Sequence, residues 1–182
     1  MIVALAAGVS LAGSEVVAPE LTFGLGFGGG LGAGGAASPG SGGGSAGVAA
    51  AWFPTRRVGI NLGVREGLWS SDLRFVGQIS VGARWRAARS LDVFGGFVHH
   101  HETPWAAAVD DPLGALVGVS DGIRHRSGVE LGVSRGWTVA EVEGFSAVFR
   151  VDAAASVLAG QGPLVYGQVN VGLWAEVPEL RR

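Results

Sequence analysis

The side chains best equipped for chemistry fall in two short runs, His99-His100-His101-Glu102 and His125-Arg126-Ser127. Together these runs hold every histidine in the chain. Between them lies the longest connection in the sequence, residues 103–123, with Pro104, Trp105, Asp110, Asp111, Pro112 and Asp121. In an extended strand alternate residues share a face, so His125 stands with Ser127, and His99 with His101. If the runs pair as a hairpin, all of them meet at one end of it. Three readings follow. A serine beside an imidazole is the working pair of a nucleophilic hydrolase, with the imidazole taking the hydroxyl proton and a carboxylate orienting it. His99, His101 and His125, with Asp110, Asp111 or Asp121, have the donor types of a metal centre. The third reading is a polar rim where strands leave an apolar layer, with no chemistry at all.

The elements that must position these residues are strands. Residues 73–86 alternate Leu73, Phe75, Ile79, Val81 and Trp85 on one face with Arg74, Gln78, Ser80, Arg84 and Arg86 on the other. That is the period of a β-strand. Residues 57–66 repeat it, with Val58, Ile60, Leu62 and Val64 against Gly59, Asn61, Gly63 and Arg65. Similar alternation predicts strands over 21–30, 45–53, 91–102, 124–134, 145–158 and 165–177, eight in all. The glycine, alanine and serine tract 32–44, broken by Pro39, reads as a flexible loop. Residues 67–72 read as a loop and 135–144 as a slightly long turn.

Composition removes several function classes. The formal net charge is −2 and lysine is absent, so nothing points to nucleic acid. There is no cysteine, hence no disulfide and no thiol chemistry. The glycine tract lacks the lysine that a phosphate-cradling loop requires, and no cofactor is expected. Glycine supplies 33 of 182 residues, while charged residues are only 15% against a usual ~25%. Mean hydropathy is positive, yet glycines interrupt every long apolar stretch past the leader, so a spanning helix is not expected. Residues 2–12 form a short apolar run followed by Gly13 and Ser14, with the character of a secretory signal over residues 1–14.

An apolar face and a charged face admit two barrels. A soluble one buries the apolar face; a membrane one turns it to lipid. The polar faces carry Arg65, Arg74, Arg84, Arg126 and Arg150 against Asp92, Glu130, Asp152 and Glu176, nearly balanced in sign and spaced by glycines. That suits a lumen filled by paired side chains. Trp52, Trp69, Trp85 and Trp137 lie near strand ends, as an interfacial girdle requires. The expected fold is therefore all-β, an eight-stranded antiparallel up-and-down transmembrane β-barrel over residues 20–177, with a tail at 178–182. In strand count, alternation and loop alternation the chain resembles the small outer-membrane β-barrel proteins of the OmpA-transmembrane-domain and OmpX-like class. It departs from them where Trp174 is followed by a tail rather than ending the chain. The resemblance implies a bacterial outer-membrane location, outer-membrane lipid and lipopolysaccharide as partners, and a structural or interaction role through extracellular loops. Arg124 and Arg126, with Arg65 and Arg74, are candidates for lipopolysaccharide phosphates at the outer rim.

The His125-x-Ser127 step is also similar to that of the outer-membrane lipid A deacylases, although Gly128 stands where that family has asparagine. That likeness implies lipid A ester hydrolysis, with Ser127 as nucleophile and His125 as base. By alternation the pair shares the lipid face with Val129 and Leu131, while Glu102 and Glu130 fall on the lumen face. A soluble lipocalin-like binder of apolar ligands is the third functional reading.

Overall fold

The structure, a computed structural model, describes residues 20–34, 37–69, 73–160 and 162–177. The expected signal segment 1–14 and the tail 178–182 lie outside them. Eight antiparallel strands close into a barrel in sequence order. They are β1 (Glu20–Gly34), β2 (Ala37–Phe53), β3 (Val58–Trp69), β4 (Arg74–Ala88), β5 (Leu91–Pro104), β6 (Arg124–Val142), β7 (Phe145–Gly160) and β8 (Leu164–Val177). β1 pairs with β8 along its length, Leu25 opposite Leu173, which leaves the sheet no free edge. Two short helices, α1 (Trp105–Asp110) and α2 (Pro112–Val117), join β5 to β6.

Alternation sorts the side chains. On β4, Ile79, Val81 and Trp85 are exposed on the outer wall, while Gln78, Ser80 and Arg84 are buried inside. The same holds for Leu21, Phe23, Leu25 and Phe27 of β1 and for Val165, Val169, Val171 and Leu173 of β8. A wall of exposed Leu, Val, Ile and Phe around a polar, buried interior inverts the soluble arrangement and is that of a membrane-spanning barrel.

Three layers of polar contacts fill the interior. Nearest the chain termini, Asp92 accepts from Arg84 at 3.3 Å and Arg150 at 2.8 Å. Arg150 also pairs with Glu176. The Arg84 guanidinium lies 5.0 Å from the Phe94 ring centroid and 5.5 Å from that of Trp174. At mid-height Glu130 accepts from Gln168 at 2.6 Å, Ser156 at 3.4 Å and Gln78 at 3.5 Å, with Arg65 3.7 Å away. Higher still, Glu102 takes Arg126 and, at 3.2 Å, His100. Trp69, Val98, Leu158, Leu164 and Tyr166 form an apolar cluster within the upper half.

Several boundaries differ from the sequence expectation. The tract 32–44 is not a loop: β1 runs to Gly34 and β2 starts at Ala37. The barrel supplies the partners that glycine-rich backbone cannot supply locally, and tertiary pairing overrides propensity. The register shifts between Gly32 and Gly34, on the stretch facing Pro39, whose missing N–H cannot join a ladder. Residues 67–69 and 135–142 are strand as well, and the 135–144 turn shrinks to Glu143-Gly144, where Gly144 adopts φ +89°. Trp69 points inward, so it belongs to no girdle; Trp52, Trp85 and Trp137 are the girdle tryptophans that face outward.

Candidate functional site

β5 and β6 pair with His99 opposite Ser127 and His101 opposite His125. These four residues have the parity of Phe97 and Val129, so they stand on the outer wall at the upper end of the barrel. His99 Nδ1 lies 2.9 Å from Ser127 Oγ, and His99 Nε2 lies 3.2 Å from His125 Nδ1. Two tautomer assignments satisfy both contacts: Ser127 donates to His99 Nδ1 and His99 Nε2–H to His125 Nδ1, or His125 Nδ1–H donates to His99 Nε2 and His99 Nδ1–H to Ser127 Oγ. The imidazole nearest the Ser127 hydroxyl is thus His99, and His125, the base that the sequence reading pairs with Ser127, is in contact with His99. His99 lies across the hairpin from Ser127, whereas His125 is two residues along the same strand. Side chains two apart on a strand lie almost 7 Å apart, whereas residues directly opposite on neighbouring strands lie within about 5.5 Å.

His101 is 2% exposed although it points outward. Its Nε2–H donates to Ala115 O of α2 at 3.0 Å, and Gly118 packs against its ring. Glu66 of β3 reaches the same spot. A Cβ placed on Gly77 would lie 3.0 Å from Glu66 Oε2 and would collide with the His101 ring, so glycine there leaves room for both side chains over β4. Glu66 escapes sequence reading because it sits at an apolar-face position, in register with Val64 and Leu68.

The three imidazoles expected to hold a metal do cluster, with ring centroids 5.3 Å (His99–His125), 6.2 Å (His99–His101) and 6.3 Å (His101–His125) apart. Both nitrogens of His99, Nδ1 of His125 and Nε2 of His101 are engaged with Ser127, with each other and with Ala115. Among the described residues no three His, Asp or Glu side chains converge as a metal site. Asp111 instead caps α2, accepting from Gly114 N–H at 3.0 Å, and Asp110 and Asp121 are exposed.

His100 and Glu102 turn inward and reach none of this cluster; Glu102 is spent on Arg126 and His100. The Ser127–His99–His125 chain has no carboxylate behind it among the contacts of the described residues. The charges assigned to the lumen, Arg65, Arg74, Arg84, Asp92, Arg126, Glu130, Arg150, Asp152 and Glu176, all have inward parity. Arg126 is 1% exposed and donates through Nε to Gly162 O at 2.7 Å, which takes it out of any phosphate-binding rim. Arg65 is likewise turned to Glu130. Arg74 and Arg124 stand half-buried at the upper mouth.

No protein-family model matches the chain, and no curated protein does. Solved structures do. Ail, the attachment invasion locus protein of Yersinia pestis, is similar in two structures. One, in complex with the heparin analogue sucrose octasulfate, has TM-score 0.50 and 11% identity and covers 86% of this chain and 99% of that one. The other has TM-score 0.51 and 9% identity and covers 85% and 97%. The outer membrane protein OprG of Pseudomonas aeruginosa is similar with TM-score 0.50 at 9% identity, over 90% of this chain and 98% of its own. The fold is that of the small outer-membrane β-barrels.

Proposed function

We propose that the protein is a bacterial outer-membrane β-barrel with a side-chain-filled lumen, acting at the membrane through its outer end. The single observation behind the reading is the contrast between the two parts. The interior is occupied by three layers of paired charges and amides, so it offers no wide passage. The β5–β6 connection, by contrast, is built into two helices and seated over a polar cluster. At the opposite end β4 and β5 are joined by Arg89-Ser90 and β6 and β7 by Glu143-Gly144. Ail binds a sulfated sugar analogue in its structure. Residues 105–123 here carry Asp110, Asp111 and Asp121 and no basic residue, which argues against polyanion binding by this connection. Membrane fractionation of a diderm host expressing the full chain tests the location. Recovery in the outer membrane as a species whose gel mobility shifts on boiling is expected; recovery in the soluble fraction with unchanged mobility contradicts it.

One observation favours a second reading, an outer-leaflet lipid esterase. Ser127 Oγ is 2.9 Å from an imidazole nitrogen on the wall that meets lipid. In this reading Ser127 is the nucleophile and His99 the base, with His125 supporting His99. Lipid A or phospholipid is incubated with the folded protein and released fatty acid is followed by mass spectrometry. Release abolished by both Ser127→Ala and His99→Ala supports the esterase. Release that neither substitution changes, or no release, leaves the cluster as a polar rim.

A further inference from the structure

We infer that α1 and α2 form a flap whose exposed apolar face is immersed in the outer leaflet of the membrane that the barrel crosses. The inference rests on the outer-membrane reading above and names the partner of the β5–β6 connection as lipid.

Burial within the flap is the reverse of a soluble loop. The residues turned to the barrel are small: Ala108, Gly114, Ala115 and Gly118 are buried. The large apolar residues point away: Val109 is 57% exposed, Leu113 75%, Val117 67% and Val119 73%. A loop meeting water would fold these onto the barrel and show it the alanines.

The flap is also held rigidly in that orientation. Trp105 N–H donates to Leu73 O at 2.9 Å, Ser120 Oγ to Thr103 Oγ1 at 3.1 Å and His101 Nε2–H to Ala115 O at 3.0 Å. Because His101 is on the outer wall, the last of these bonds draws α2 down on the lipid side of β5 rather than over the mouth. Leu91 and His101 share one face of β5 ten residues apart. At a rise of ~3.3 Å per residue and a tilt of about 40°, that separation spans about 25 Å along the normal, the height of the apolar band. His101, and the flap on it, therefore meet the wall about one band height above Leu91, continuous with the lipid-facing surface.

The tryptophans agree. Trp52, Trp85 and Trp137 project outward, all in the half of the barrel near the termini, with Trp52 opposite Leu21 and Ile60, and Trp85 opposite Val58 and Val93. At the other end, Trp105 of α1 is the exposed tryptophan among the described residues. It supplies the second interfacial anchor that the strands lack.

The chain has no cysteine, so single sites can be labelled in the full-length protein. Leu113→Cys, Val117→Cys and Val119→Cys carry a nitroxide in phosphatidylcholine vesicles, with Ile79→Cys as the lipid-wall reference and Glu143→Cys as the water reference. Boiling-dependent mobility checks that each variant is folded. Oxygen accessibility exceeding that of a water-soluble nickel chelate at the flap sites, nearer to the Ile79 ratio than to the Glu143 ratio, is the expected result. Flap labels that match Glu143 would overturn the inference, leaving the apolar face free for a protein partner; the barrel and its surface role would stand. Val119, outside both helices, keeps the test available if a helix variant fails to fold.

Discussion

Asp92 shows how much of the interior hangs on single side chains. It is 4% exposed and accepts from both Arg84 and Arg150, with Arg86 Nε 3.7 Å away. Removing one partner of a buried pair leaves an uncompensated charge, which costs about 3–5 kcal/mol. Asp92→Ala is expected to lower the unfolding free energy by that order, seen as a lower denaturant midpoint when the folded fraction is read by boiling-dependent mobility. Asp92→Asn keeps the shape and an acceptor and is expected to lose less. At this scale the sequence was informative about direction and silent about partners. Strict alternation is enough to send nine charges inward. It cannot say that Ser127 meets His99, because that contact depends on the register of β5 against β6. A tight turn fixes register, but residues 105–123 are far too long to do so. Glu66 was hidden for a different reason: it occupies a lipid-face position that the apolar pattern assigns to a hydrophobe.

Elements were legible where their side chains alternate in character and illegible where they do not. β3 and β4 show their period plainly. β1 and β2 near Gly34 and Ala37 do not, since glycine, alanine and serine look alike on both faces and the strand is held by neighbours across the barrel. Glycine on the inner face has a second use, making room for bulky partners. A Cβ on Gly24 would stand 2.5 Å from Cδ2 of Trp174, the ring over which Arg84 and Arg150 lie. Gly24→Leu must push that ring aside, and overpacking of this kind costs about 1–3 kcal/mol. Gly144→Val, in the β6–β7 turn, has open space around its Cβ position but a φ of +89° that a β-branched residue resists. Its expected effect is a similar loss of stability, by backbone strain rather than collision. Unfolding midpoints of the two variants check both. The helices α1 and α2 were unforeseen because each has only 6 residues. Helices that short are marginal by themselves and form through the capping by Asp111 and the seat on His101 rather than through local propensity.

For the whole molecule, the barrel and the flap are separable parts. All eight strand pairings, including the closing one between β1 and β8, run without the β5–β6 connection. Replacing residues 106–122 by a glycine-serine linker is expected to leave boiling-dependent mobility intact while exposing His101. A variant that no longer folds would make the flap part of the scaffold. The inversion of inside and outside, apolar wall and charged interior, was readable from alternation and from balanced charge on the polar faces. How completely the interior is filled was not, because that depends on which charge meets which across the lumen. Ion pairs and amides occupy the passage from Glu176 to Glu102. Conductance across a planar bilayer containing the folded full chain tests this most directly. No steps above the lipid baseline are expected, while stable ohmic steps in the wild-type protein would contradict a filled lumen.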